Sequence, residues 1–291
     1  GRGDGSPIAE PEIKLESKTS KAIRCFKDGK FPEGTKTFAA ILRAEAERLI
    51  AAYPPIPGGR ATRKTWARAL RERLWETLGG EPTPFAPKAT SHGTFAWRGH
   101  TVERLTIQTE PTLEVPALLI RPAKAQGKAP AAILLDDEGK TSVRNSQVAR
   151  ELLERGVAVL ALDVRALGEG KVHDNHCASD AVVLGRPLLA QMAWDVLAAA
   201  RALGARKDVH GSRIAVYGRG SVGLIATVAT ALADDLCACA AEGSVGSYLG
   251  AFGDPLPQPL WVYAPSLLEH ADVPQLVALA APAFLADALK P

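Results

Sequence analysis

The chain has 291 residues, 46% of them apolar and 23% charged, a balance that belongs to globular proteins with a sizeable core. Its 35 basic and 32 acidic residues are spread along the chain and leave a net charge of +3, so no concentrated field marks a nucleic-acid partner. No apolar run reaches the ~18 residues of a membrane helix, and no membrane partner is expected. The four cysteines, Cys25, Cys177, Cys237 and Cys239, show neither disulfide-framework nor metal-ligand spacing; they read as buried thiols, and no metal or cofactor is called for.

Residues 1–34 are polar, lysine-rich and punctuated by glycine, and are expected to form a disordered or processed tail. A helical lead-in is expected over 35–94. Phe38, Ile41, Leu42, Leu49 and Ile50 fall on one helical stripe with Thr37 as N-cap, and the proline-rich segment 53–59 ends that helix. A second helix, Arg63 to Leu78, sets Trp66, Leu70 and Leu74 inward and stops at Gly79-Gly80. Its basic face, Arg60 to Arg73, reads as solvated, with an acidic partner as the other reading.

Beyond a second proline-rich linker, seven apolar runs follow: Thr101–Gln108, Leu113–Arg121, Ala131–Asp136, Val157–Asp163, Ile214–Tyr217, Leu236–Glu242 and Pro282–Ala286. Glu110-Pro111-Thr112 is short enough to join the first two as an antiparallel hairpin. The later runs are spaced for crossover helices, which predicts a mostly parallel, doubly wound α/β sheet.

The fifth run enters Gly218-Arg219-Gly220-Ser221-Val222-Gly223 and then a helix of small residues. Strand, glycine-dense turn and helix make a nucleophile elbow. With Gly-x-Ser-x-Gly laid on Gly218, Gly220 takes the nucleophile's place, Val222 that of the second glycine, and Ser221 comes one residue late. Together with Asp136-Asp137-Glu138-Gly139-Lys140 after the third strand, Asp163-Val164-Arg165-Ala166-Leu167-Gly168 after the fourth and Ala280 to Leu285 at the seventh, this segment resembles the α/β-hydrolase superfamily. The likeness is to its acetylxylan-esterase-like and prolyl-oligopeptidase-like branch, over residues 95–291.

The resemblance implies an α/β-hydrolase-type sheet of eight strands, of which the last is expected to be lacking, and hence a domain incomplete at its C-terminus. It implies serine ester hydrolysis of carbohydrate-esterase type, such as deacetylation of a polysaccharide, with a small-molecule or polysaccharide ester as partner. Ser221 is the nucleophile by position; the other reading makes it an early helix residue that satisfies a backbone group. Asp287, just past the seventh strand, stands for the acid, the other reading being that the acid is absent; His270 stands for the base although it precedes that strand, the other reading making it a surface or capping group. Glu138 and Gly139 belong to the oxyanion loop, whose three acids oppose a developing oxyanion if turned inward and are solvated if turned outward.

Arg219 and Gly220 complete the substrate-binding set with Arg165, at the pocket floor; on a structural reading Asp163 caps the following turn and Arg165 pairs with it. His173-Asp174-Asn175-His176-Cys177 reads as a polar loop over the sheet edge rather than a metal site. The alternative function is a non-catalytic hydrolase-like domain that binds carbohydrate or a partner domain. The seventh-strand edge, around Phe284 and Leu285, is expected to drive dimerisation or aggregation unless a further segment covers it.

Overall fold

The computed structural model describes residues 20–26, 30–123, 127–171, 174–253, 257–281 and 284–286, with positions 4, 15 and 17. Helix α1 (Phe38–Ala51) begins where the Thr37 hydroxyl accepts the Ala40 N–H at 3.2 Å, the expected cap. The forward end of its apolar stripe, Phe38 and Ile41, remains exposed, while Leu42, Leu49 and Ile50 are half-buried. Helix α2 (Arg60–Thr77) buries Leu70 and Leu74 and leaves most of its basic residues in solvent. Three long side chains tie this lead-in down: Tyr53 Oη donates to the Leu268 carbonyl at 2.5 Å, Arg63 to that of Ala278 at 2.9 Å and Arg71 to that of Ala231 at 2.9 Å.

The sheet contains β1 (Ala89–Trp97), β2 (His100–Glu110), β3 (Leu113–Arg121), β4 (Ala129–Asp136), β5 (Ala158–Leu162), β6 (Val209–Arg219), β7 (Ala238–Glu242) and β8 (Phe284–Ala286). Its order is β1-β2-β3-β5-β4-β6-β7-β8; the strands from β5 through β8 in that order pair in parallel and the first three are antiparallel. All seven expected strands are present, and the hairpin at Glu110 closes as foreseen, with Glu110 opposite Leu113. The strand that sequence reading missed is β1, at the other edge. It is mostly exposed and so lacks the alternating apolar pattern that marks a strand. Arg98 (φ 49°) and Gly99 (φ 80°) turn it into β2, both central residues having the positive φ of a two-residue hairpin turn.

Helices α3 (Lys140–Asn145) and α4 (Gln147–Glu154) join β4 to β5, and α5 (Asp174–Val183) and α6 (Leu188–Gly204) join β5 to β6. Helix α7 (Gly223–Leu232) joins β6 to β7, and α8 (Tyr248–Ala251) and α9 (Val273–Ala280) lie between β7 and β8. The central strands are buried on both faces, and their two-residue period divides the core. Ile133, Leu135, Leu160 and Leu162 pack with α2, α6, α7 and α9. Leu134, Val159 and Ala161 pack with Val143, Ala149 and Leu153 of α3 and α4.

Two local expectations are corrected. Asp174 to Cys177 open α5 rather than forming a loop, and His173 lies outside the described residues. Of the cysteines only Cys239 is buried; Cys25 and Cys237 are exposed and Cys177 is half-buried. Cys237 precedes β7 and stays in solvent, whereas burial within the strand pushes the Cys239 thiol up to about 11, which keeps it protonated and inert at neutral pH.

Candidate functional site at the elbow after β6

The elbow forms where β6 meets α7. Gly220 has φ +81°, a left-handed conformation that glycine adopts without strain. A Cβ on Gly218 would stand 2.7 Å from the Gly223 Cα, and one on Gly223 would stand 2.7 Å from the Ser244 Cβ. The glycine that lets strand and helix approach is therefore Gly223, one position later than the motif reading placed it. The spacing Gly218-x-Gly220-x-x-Gly223 carried that signal. Gly220 holds the apex, and Ser221 begins the turn into the helix.

The space above the apex is filled by a carboxylate. Asp137 Oδ2 accepts the Ser221 N–H at 2.9 Å, and Oδ1 accepts the Val222 N–H at 3.1 Å. A Cβ on Gly220 would lie 2.1 Å from Asp137 Oδ2. In hydrolases of this fold the N–H after the nucleophile is an oxyanion donor, and here that N–H is already engaged by an anion. The three loop acids thus differ in their settings. Asp137, though exposed, turns its carboxylate onto the elbow; buried Asp136 accepts from the Glu138 N–H at 3.0 Å and from Arg219 Nε at 3.0 Å; Glu138 is exposed. The Ser221 hydroxyl hydrogen-bonds to Gln258 Oε1 at 2.9 Å, a partner that no sequence motif marked.

Beneath this layer lies a tight ionic joint. Asp163, 1% exposed at its side chain, accepts from the Lys140 N–H and Nζ, both at 2.6 Å, and from the Glu169 N–H at 2.8 Å. Gly139 (φ +80°) is required here, because a Cβ would meet the Gly168 Cα at 2.8 Å and Asp163 Oδ1 at 2.9 Å. The expected capping role of Asp163 is present, whereas its pairing with Arg165 is not. Arg165 instead grips Asp195 of α6, with Nη2 to Oδ1 at 2.6 Å and Nε to Oδ2 at 3.0 Å, and reaches Glu110 and Gln191 through Nη1. The fold supplies a fully buried partner thirty residues along the chain, which adjacency in sequence did not reveal.

Glu138, Gly139, Arg219, Gly220 and Ser221 therefore converge where β4 and β6 end, the edge at which open α/β sheets bind ligands. Arg165 lies in the joint between β5, β2 and α6 with its donors engaged. His270 is elsewhere: it lines a cavity with Tyr53, Trp66 and Arg73, between the lead-in helices and the turn ahead of α9. Asp287 lies outside the described residues.

No protein-family model matches the chain. It is 26% identical over 204 residues to YtaP of Bacillus subtilis, assigned as a hydrolase; the match covers 62% of this chain and 66% of that protein, just under two thirds of its length. Among solved structures, a Bacteroides fragilis protein assigned as an acetyl xylan esterase superposes with TM-score 0.70 at 16% identity, covering 90% of this chain and 76% of the other. A glucuronoyl esterase from Solibacter usitatus superposes with TM-score 0.59 at 17% identity over 80% and 75% of the two chains. A glucuronoyl esterase from Teredinibacter turnerae gives 0.54 at 16% identity over 81% and 71%. The chain is thus an α/β-hydrolase-fold protein whose structural neighbours are acetyl xylan and glucuronoyl esterases.

Proposed function

We propose that this chain is a hydrolase-fold domain of carbohydrate-esterase type, preceded by a helical lead-in, whose elbow does not carry out serine acyl transfer and which serves to bind a carbohydrate or a partner domain. The observation that carries the reading is the Asp137 carboxylate seated on the Ser221 and Val222 N–H groups above a glycine apex. Ester hydrolysis through a serine develops negative charge on the substrate carbonyl oxygen and needs donors aimed at it. A carboxylate in that position repels such a charge, by about 4 kcal/mol at 4 Å and an effective dielectric near 20 and by about 1 kcal/mol in bulk water; Asp137 is exposed, so solvent screening brings the repulsion below the upper figure. Among the described residues the Ser221 hydroxyl, bonded to Gln258, has no basic group on it to take its proton, and the apex residue has no side chain at all.

Hydrolysis of p-nitrophenyl acetate and of acetylated xylan tests the reading. Release of acetate is expected to be weak and unchanged by Ser221→Ala. Turnover of about 1 s⁻¹ or more, within the ordinary enzyme range, and abolished by Ser221→Ala would overturn it in favour of a working esterase.

A further inference from the structure

A cavity of about 350 Å³ opens between α1, α2 and the turn ahead of α9, built from elements other than those of the elbow. Leu49 and Trp66 give it an apolar side, and Arg73, Glu269 and His270 give it a polar one. Among the described residues the side chains of these last three have no hydrogen-bond or ion-pair partner. The surrounding groups differ in this respect. Tyr53 Oη is bonded to the Leu268 carbonyl at 2.5 Å, and Gln275 is held in the capping box of α9. The walls are thereby pinned to one another, while the polar groups that line the cavity keep their bonding capacity.

The donor set specifies a ligand class. Arginine only donates, a carboxylate only accepts, and an imidazole does one or the other at each nitrogen. One positive and one negative side chain balance, so the complement is a neutral molecule that donates and accepts at neighbouring positions. It must also present an apolar face to the Trp66 indole. A sugar ring has this character, with vicinal hydroxyls at its rim and C–H bonds on its face. The volume lies at the small end of ligand pockets, suited to one ring rather than a long chain. We propose that this cavity binds a neutral sugar ring, such as a residue of a polysaccharide, at a site separate from the elbow. The proposal goes beyond the reading of the elbow and stands whether or not the elbow turns over.

Titration of the full chain with D-xylose and xylobiose, followed by calorimetry and by saturation-transfer NMR, tests it. Saturable binding is expected, unchanged by Ser221→Ala. It is expected to weaken about tenfold in Glu269→Gln and in Arg73→Gln, the loss typical of one hydrogen bond to a charged group. Trp66→Phe, which retains an aromatic wall, is expected to keep binding, and Trp66→Ala to lose it. Glu269 and Arg73 are exposed, so their variants report on binding rather than on folding. Absence of saturable binding to either sugar would overturn the proposal. So would equal affinity in the Glu269, Arg73 and Trp66→Ala variants, or preferential binding of zwitterionic leucine.

Discussion

At Gly220 the backbone and a neighbouring side chain each oppose the addition of a Cβ. The left-handed φ of +81° disfavours any L side chain by about 1–2 kcal/mol, and the Asp137 carboxylate fills the space a Cβ would enter. Gly220→Ser is therefore expected to destabilise the protein, and by less once the carboxylate is gone. In a double-mutant cycle with Asp137→Ala, measured by urea denaturation, the two substitutions should couple by about 0.5–3 kcal/mol; strict additivity would show that Asp137 does not occupy the apex in solution. Arg165 gives a second test at this scale. Its partner Asp195 is fully buried, and Arg165→Leu strands that charge, so a loss of about 3–5 kcal/mol is expected. A change below about 0.5 kcal/mol, typical of an exposed surface position, would place Arg165 outside the core joint. The glycine apex was readable directly from Gly218-Arg219-Gly220-Ser221. The inward turn of Asp137 was not, because an acid at a strand end can face solvent or backbone equally well, and only the approach of the β4 and β6 loops decides.

Among the elements, those with strong local signals were legible and those stabilised by long-range contacts were not. The hairpin of β2 and β3 followed from a turn too short for any crossover, and α2 from Leu70 and Leu74 at helical spacing. Edge strand β1 has little apolar patterning and takes its order from pairing with β2. Helix α5 was obscured by a cluster of polar side chains at its start. Glu110, at the end of β2, shows how elements are joined electrostatically: burial would raise its pKa, but the hydrogen bonds and charges of Arg165 and Arg186 prevail and hold it below the usual carboxylate value. A carboxyl with a lowered folded pKa stabilises the fold above its unfolded pKa, about 4.3 for Glu, and that contribution is lost as pH falls through the folded value. The urea midpoint should therefore fall on acidification below about pH 4.3, and Glu110→Gln should fall less steeply across the same range. Identical slopes in the two proteins would remove Glu110 from the acid response.

For the molecule as a whole, the sheet order and the two-sided core establish an α/β-hydrolase fold, and the chemistry rests on a few side chains set upon it. Among the described residues β8 is an edge strand, paired with β7 at three positions. Unpaired edges are templates for association, and this chain is expected to self-associate through β8; light scattering that showed a monomer at high concentration, with protected amides at residues 284–286, would instead indicate an edge covered from within. The elbow is accessible to a direct chemical question, because a serine activated for acyl transfer reacts covalently with phosphonylating agents whereas an unactivated hydroxyl does not. The chain should be incubated with an alkyl fluorophosphonate and its intact mass measured. No adduct is expected, since Asp137 occupies the elbow donors and Ser221 is bonded to Gln258; a stoichiometric adduct mapped to Ser221 would contradict a closed elbow and establish a working nucleophile.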